Sequence, residues 1–272
     1  MIDISTRKGS RKLVGYKTGK ASNTGLVRVY NEDSLTTLES YIEDGTKIKF
    51  WGIYALADGV GGHEDGEIAS SLAVRLFAKS LIETLLLSGL RLNNTTFSKE
   101  SVRQALIKAV AIANRMIYTR GQTKSCRMGT TLAALLIINS TAYIVNVGDS
   151  RVYIREKKQF RQITKDDSLV AKLVDAGEIT PEEIYSHPQR NIITHCLGTQ
   201  KDLLVRPSVQ KLKSGNSLLL CSDGLWEMVR DNEIKDIIAK NHNPQTACKR
   251  LIQAAIEGGG SDNISVILVK VT

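Results

Sequence analysis

Between Glu67 and Leu90 the apolar residues Ile68, Ala69, Leu72, Ala73, Leu76, Phe77, Leu81 and Leu85 recur every three or four positions. That spacing predicts one stripe along a long helix, with Gly89 near its end. A second stripe runs through Val102, Leu106, Ala109, Val110, Ala113, Met116 and Ile117, with Ser98 or Ser101 placed to cap it and Gly121 just beyond. A polar loop through Asn93 and Asn94 joins the two, so they are expected to pack antiparallel. From Thr130 the texture changes. Leu132 to Ile138, Ala142 to Val147, Val152 to Ile154 and Gln159 to Ile163 are short β-rich runs parted by Asn-Ser, Gly-Asp-Ser and Glu-Lys-Lys, which predicts an antiparallel meander. A helix is expected over about 168–176, capped by Asp167 or Ser168 and stopped by Gly177, and Thr180-Pro181-Glu182-Glu183 opens another. Further strands are expected at Ser217 to Cys221 and Ile264 to Val271, with helices near Asn232 to Ala239 and Gln245 to Ile256. Sequential strands with segregated helices predict an α+β fold in which two sheets stack and helices cover their outer faces.

Composition adds limits. The 272 residues are 42% hydrophobic and 24% charged, without internal repeat, low-complexity tract or Pro/Gly/Ser-rich linker, so one domain spanning 1–272 is expected. No window approaches the roughly eighteen uncharged apolar residues of a membrane span. The basic block Arg7, Lys8, Arg11, Lys12, Lys17 and Lys20 has no apolar run after it and does not read as a secretory signal, so a cytoplasmic address is the default. Cys126, Cys196, Cys221 and Cys248 lie at wide irregular intervals, as reduced core residues rather than a zinc or redox pair. A net charge of +9 permits polyanion affinity. The basic residues are interleaved with acids and aromatics total only 5%, so a solvated surface is expected and no specific nucleic-acid partner.

Chemistry enters with the aspartates: Asp33 in Asn-Glu-Asp, Asp58 in Ala-Asp-Gly, Asp149 in Gly-Asp-Ser, Asp223 in Ser-Asp-Gly and Asp262 in Ser-Asp-Asn. Most follow a hydrophobic run directly, which puts each carboxylate at a strand end with a turn beyond, and Gly59 and Gly224 let the backbone turn sharply. Gathered together, such carboxylates would repel one another unless a cation neutralised them. Oxygen ligands select magnesium or manganese, whereas the Cys and His sets that zinc prefers are missing. Any one of these residues is well explained as a turn cap before Gly; five in this arrangement are poorly explained that way.

These segments resemble the metal-dependent protein phosphatases of the PPM class, also called PP2C, in their bacterial branch. The resemblance spans nearly the whole chain through six segments in order. They are Thr24-Gly25 to Arg28-x-x-Asn31-Glu32-Asp33, Ala57-Asp58-Gly59-Val60-Gly61-Gly62-His63, Gly129-Thr130-Thr131, Val147-Gly148-Asp149-Ser150-Arg151, Ser222-Asp223-Gly224-Leu225-Trp226 and Ser261-Asp262-Asn263-Ile264-Ser265. The resemblance implies a four-layer α/β/β/α sandwich, two stacked and mainly antiparallel sheets flanked by helix pairs. It implies hydrolysis of phosphoserine and phosphothreonine by a water activated at a binuclear Mg2+ or Mn2+ centre, with a weaker third metal position, and no covalent phosphoenzyme. By the same resemblance Asp58 would bridge both metals, Asp223 and Asp262 would hold the first, and the Gly59 carbonyl with Glu32, through water, would serve the second. Asp33 would orient metal-bound waters, Asp149 with Asp223 would form the third position, and Asn263 would support the ligands from behind. Arg28 would grip the substrate phosphate, because a guanidinium fork matches two phosphate oxygens as lysine cannot; the alternative is a surface ion pair.

One departure concerns leaving-group protonation. Eukaryotic relatives place a histidine two residues after the bridging aspartate, where this chain has Val60. His63 is expected to support the site or its turn, leaving protonation to a metal-bound water. His187 and Arg190 fall in the segment resembling the family's mobile flap, where they either touch substrate or stabilise the loop. The expected partners are phosphorylated proteins and a cognate Ser/Thr kinase, with the chain a monomer. A catalytically silent phosphoprotein-binding module on the same fold is the alternative; it would be expected to have lost an acidic ligand, and none is lost.

Overall fold

The computed structural model describes residues 15–44, 47–60, 64–88, 97–124 and 128–272. Arg7, Lys8, Arg11 and Lys12, the segment Gly61-Gly62-His63, Gly89, the loop through Asn93 and Asn94, and Cys126 lie outside the described residues. In chain order the elements are β1 (Tyr16–Asn23), β2 (Asp33–Asp44), β3 (Lys47–Val60), α1 (Glu64–Leu81), running on into a π-helical turn at Ile82–Leu86, and α2 (Lys99–Lys124). Then come β4 (Gly129–Thr130), β5 (Leu132–Ile138), β6 (Thr141–Val147), β7 (Arg151–Glu156), β8 (Gln159–Gln162) and α3 (Leu169–Asp175). A 3₁₀ turn at Glu183–Ser186 precedes β9 (Ser208–Lys211), β10 (Ser217–Cys221), α4 (Asp223–Trp226), α5 (Asp231–Lys240), α6 (Pro244–Glu257) and β11 (Ile264–Val271).

The strands form two sheets, ordered β1-β11-β10-β7-β8 and β2-β3-β5-β6-β9, with β4 added at the end of β3. Every strand pairing among the described residues is antiparallel. Alternate side chains of one strand enter different cores, as the two-residue period of a strand requires. Leu132, Ala134 and Leu136 of β5 pack under α1 and α2 with Ala73, Phe77, Leu106 and Val110. Ala133, Leu135 and Ile137 face the second sheet, meeting Val152, Leu218, Leu220, Ile267 and Val269. Leu219, Cys221, Val266 and Leu268 point the other way, under α4, α5 and α6. Three cores between four layers give the α/β/β/α sandwich.

The expected meander is corrected. β5 and β6 pair in one sheet and β7 and β8 in the other, so the chain changes sheets at Gly148, Asp149 and Ser150. Gly148 makes this crossing at φ +93, and a side chain there would collide with Thr131. A helix proper does not follow Thr180. Glu183 Oε2 accepts from the Thr180 amide at 2.7 Å and hydroxyl at 2.9 Å, yet the turn ends at His187, which Pro188 holds extended at ψ 133. Elsewhere the expected caps form, Ser98 Oγ accepting from Ser101 N and Ser168 Oγ from Ala171 N, and Asn243, accepting from Gln245 N and Thr246 N, caps α6 ahead of Pro244. Among the described residues no helix is long and apolar enough to cross a membrane.

Candidate metal centre

The carboxylates named from the sequence lie at strand ends along one edge of the stacked sheets and in the crossing between them. Asp33 opens β2 and stands directly opposite Asp58 of β3 in the antiparallel register. Asp149 sits in the crossing after β6, Asp223 begins α4 just past β10, and Asp262 precedes β11, the neighbour of β10. Thus strand pairing, not nearness in sequence, assembles them. The backbone around Asp58 is fixed from β4 and the residue that links it to β5: Thr131 Oγ1 accepts from the Asp58 amide at 2.9 Å, while the Thr130 hydroxyl and Thr131 amide both donate to its carbonyl at 2.8 Å. Thr131 and Ser150 hydroxyls share a further bond of 2.7 Å, which ties the crossing to the same point. Ser222 donates to Asp33 Oδ2 at 2.9 Å. Gly59 and Gly66 lie so close that a side chain on Gly59 would strike the Gly66 backbone, and Gly66 in turn abuts the Glu32 carboxylate.

Electrostatically the cluster is strained. Burial first, then the neighbouring charges of Asp223, Asp33, Asp149 and Asp262, push the Asp58 carboxyl well above the usual range. Asp223 is raised in the same way, by burial and then by Asp149 and Asp262. Burial raises Asp33 to about 7 against hydrogen bonds from Ser265 and Ser222, and raises Asp149 to about 7 with Asp166 adding to it. One oxygen of Asp33, one of Asp149 and one of Asp223 are buried without any hydrogen-bond partner. Buried acceptors in native proteins are nearly always satisfied, so three orphans in one cluster are the mark of a cation site. The donor set is all oxygen and suits a hard cation. Among the described residues no three His, Cys, Asp or Glu side chains stand at metal-holding spacing as they are placed, and Asp262 faces Arg28 and its own turn. The residues therefore fit the group by chemistry and by unmet acceptors rather than as a finished cage.

Arg28 reaches the cluster from the loop between β1 and β2. Its Nη2 lies 2.6 Å from Asp262 Oδ2, and that bond raises the guanidinium pKa further. Asn263 holds the loop in place: Oδ1 accepts from the Glu32 amide at 2.8 Å, and Nδ2 donates to the carbonyls of Thr24 and Tyr30, each at 2.9 Å. Behind Asp149 is a buried ion pair. Arg151 Nε and Nη2 both donate to Asp166 Oδ2, at 2.9 and 2.7 Å, Nη1 donates to Tyr153, and the guanidinium stacks 3.6 Å over Trp226. Trp226 Nε1 donates to the Asp149 carbonyl at 3.0 Å.

His187 and Arg190 part company. The His187 ring accepts from the Gln189 amide at 3.1 Å within its own turn, whereas Arg190 pairs with Glu227 at 3.5 Å. Glu227, one turn beyond Asp223, has its pKa raised by burial and by Asp262, and lowered by Arg190. Tyr185 adds a contact with Trp226 and lies 3.6 Å beneath Arg230, so the segment from Tyr185 to Arg190 is docked on α4 and the residues after it. Sequence reasoning missed Thr131, Ser222, Trp226, Asp166 and Glu227 as participants, although Thr131, Ser222 and Trp226 lie inside recognised segments. A recess of about 520 Å³ between α5 and α6, lined by residues such as Asn232, Asp236, Arg250 and Glu257, takes no part in the cluster.

A family model described as Protein phosphatase 2C matches residues 33–257. The chain belongs to that family. Among its relatives, "Serine/threonine phosphatase stp" of Listeria welshimeri is 35% identical over 251 residues, covering 92% of this chain and 93% of that one. The solved serine/threonine phosphatase of S. agalactiae superposes with a TM-score of 0.82 at 31% identity, covering 95% of this chain and all of the other. The catalytic domain of the phosphatase PstP, solved in complex with two manganese ions, gives a TM-score of 0.77 at 32% identity over 96% of this chain and 100% of that one. The family's sandwich fold is thus present here.

Proposed function

We propose that this chain is a metal-dependent protein-serine/threonine phosphatase, built as one catalytic domain over 1–272, that hydrolyses phosphoserine and phosphothreonine esters in proteins. One observation carries it: five aspartates meet beside Arg28 with three of their buried oxygens unpartnered. Asp58, Asp223 and Asp262 would hold one manganese or magnesium ion, Asp58 with the Gly59 carbonyl and Glu32 a second, and Asp149 with Asp223 a weaker third. When bound, such cations supply Lewis-acid chemistry, drawing charge from the phosphate ester and making water a stronger nucleophile. The chain's own groups do the rest. Arg28 grips phosphate oxygens and offsets the charge that develops on them. Asp33, held by Ser222, accepts a proton from water and orients it for in-line attack.

The relatives' names support phosphoprotein substrates. A cognate Ser/Thr kinase, a monomer and a cytoplasmic address are further parts of the proposal; buried, unpaired Cys196, Cys221 and Cys248 suit a reducing compartment. Hydrolysis of p-nitrophenyl phosphate and a phosphothreonine peptide with Mn2+, then with chelator, tests the reading. Turnover is expected with metal and loss of it in chelator, in Asp58→Asn and in Asp223→Asn. Full turnover in chelator would sink the metal mechanism, and no turnover with any divalent cation would leave the binding-module alternative.

A further inference from the structure

The loop that delivers Arg28 keeps four large apolar side chains in water. Leu26, Val27, Val29 and Tyr30 are 67%, 68%, 82% and 63% exposed. A single exposed apolar residue is ordinary, but four within five consecutive positions form a patch, and such patches mark contact surfaces. The backbone beneath them is anchored. The Leu26 amide donates to the Gly260 carbonyl at 2.7 Å, Asn263 holds the Thr24 and Tyr30 carbonyls, and Gly25 turns at φ +81 with no room for a side chain against Asp262. A fixed backbone with outward apolar side chains presents a shaped surface and needs little ordering when something binds.

The patch is continuous with the catalytic centre. Arg28 stands in its middle and touches Asp262, so Val27 and Val29, the chain neighbours of Arg28 on either side, are the exposed apolar groups next to a phosphate seated there. We propose that Leu26, Val27, Val29 and Tyr30 form an apolar platform that selects phosphoprotein segments carrying aliphatic or aromatic side chains within a few residues of the phosphorylated one. This rests on the phosphatase reading and gives it a substrate class.

Three substrates separate the two claims: p-nitrophenyl phosphate, a phosphothreonine peptide with Val and Leu flanks, and the same peptide with Ser and Asn flanks. With Mn2+ the parent is expected to favour the apolar peptide about tenfold in kcat/KM, the scale of one modest buried apolar contact. Val27→Ser/Val29→Ser removes that preference through KM and leaves p-nitrophenyl phosphate turnover unchanged. Val29→Lys, a single change at the most exposed of the four positions, repeats the comparison and guards against a misfolded double variant. Equal turnover of the two peptides by the parent, or an undiminished preference in both variants, overturns the platform. A parent that self-associates in sedimentation velocity, with a double variant that does not, assigns the patch to contact between copies and also overturns it. Failure of all three substrates strikes the phosphatase reading instead.

Discussion

Arg28 shows how much one side chain's shape carries. Half exposed, it gains little as a surface ion pair with Asp262, so its value lies in what a planar fork does for a phosphate. Arg28→Lys keeps the charge and loses the fork; kcat/KM for p-nitrophenyl phosphate is expected to fall about 10- to 100-fold, the worth of one charge-assisted hydrogen bond, measured by steady-state kinetics. Thr131 acts on the other side of the cluster, through the backbone. Thr131→Val strands the part-buried Asp58 amide and the buried Ser150 hydroxyl, and is expected to lower stability by about 1–3 kcal/mol in urea unfolding. The aspartates were legible from the sequence because carboxylates before Gly, Ser or Asn, most of them at the ends of apolar runs, repeat along the chain. The hydroxyl of Thr131 was not, since its role depends on β4 and β5 lying beside β3, which no local pattern encodes.

At the scale of elements, the crossing between β6 and β7 and the start of α4 are joined by the Arg151, Asp166 and Trp226 cluster. Arg151 and Asp166 are 5% and 6% exposed at their side chains, so either alone would be an uncompensated buried charge. Arg151→Met is expected to destabilise by about 3–5 kcal/mol in urea unfolding, with Arg151→Met/Asp166→Asn recovering part of the loss. Most strand and helix positions were readable: β5, β6, β10 and β11 fall on their apolar runs, and α2, α5 and α6 on their stripes. Which sheet each strand joins was not. Strands covered on both faces, such as β5 and β10, are apolar at nearly every position, so the alternation that assigns a face is lost. The half-polar edge strands β1 and β2 escaped notice for the opposite reason, having too few apolar residues to register.

For the whole molecule, the acidic cluster sets stability against function. Asp33, Asp58, Asp149 and Asp223 all hold protons more tightly in the fold than an ordinary carboxyl does, because burial and mutual repulsion disfavour their charged forms. The folded chain therefore binds more protons than the unfolded chain across the interval between an unfolded value near 4 and folded values of about 7 or above. The stability these groups contribute is complete below the lower limit and is lost as pH rises through the upper one. In chelator, the thermal midpoint is expected to fall between pH 5 and pH 8, each tenfold change in proton affinity being worth about 1.4 kcal/mol. Divalent cations replace the protons, so saturating Mn2+ should raise the midpoint more at pH 8 than at pH 5 and release protons on binding. Asp58→Asn/Asp223→Asn, inactive by the argument above, should melt several degrees higher than the parent in chelator at pH 8, because removing two of the mutually repelling charges relieves the cluster. A parent whose chelated melt is flat from pH 5 to pH 8, with a double variant no more stable, would mean that the carboxylates do not repel one another in the fold. The unpartnered oxygens would then need an explanation other than a cation site.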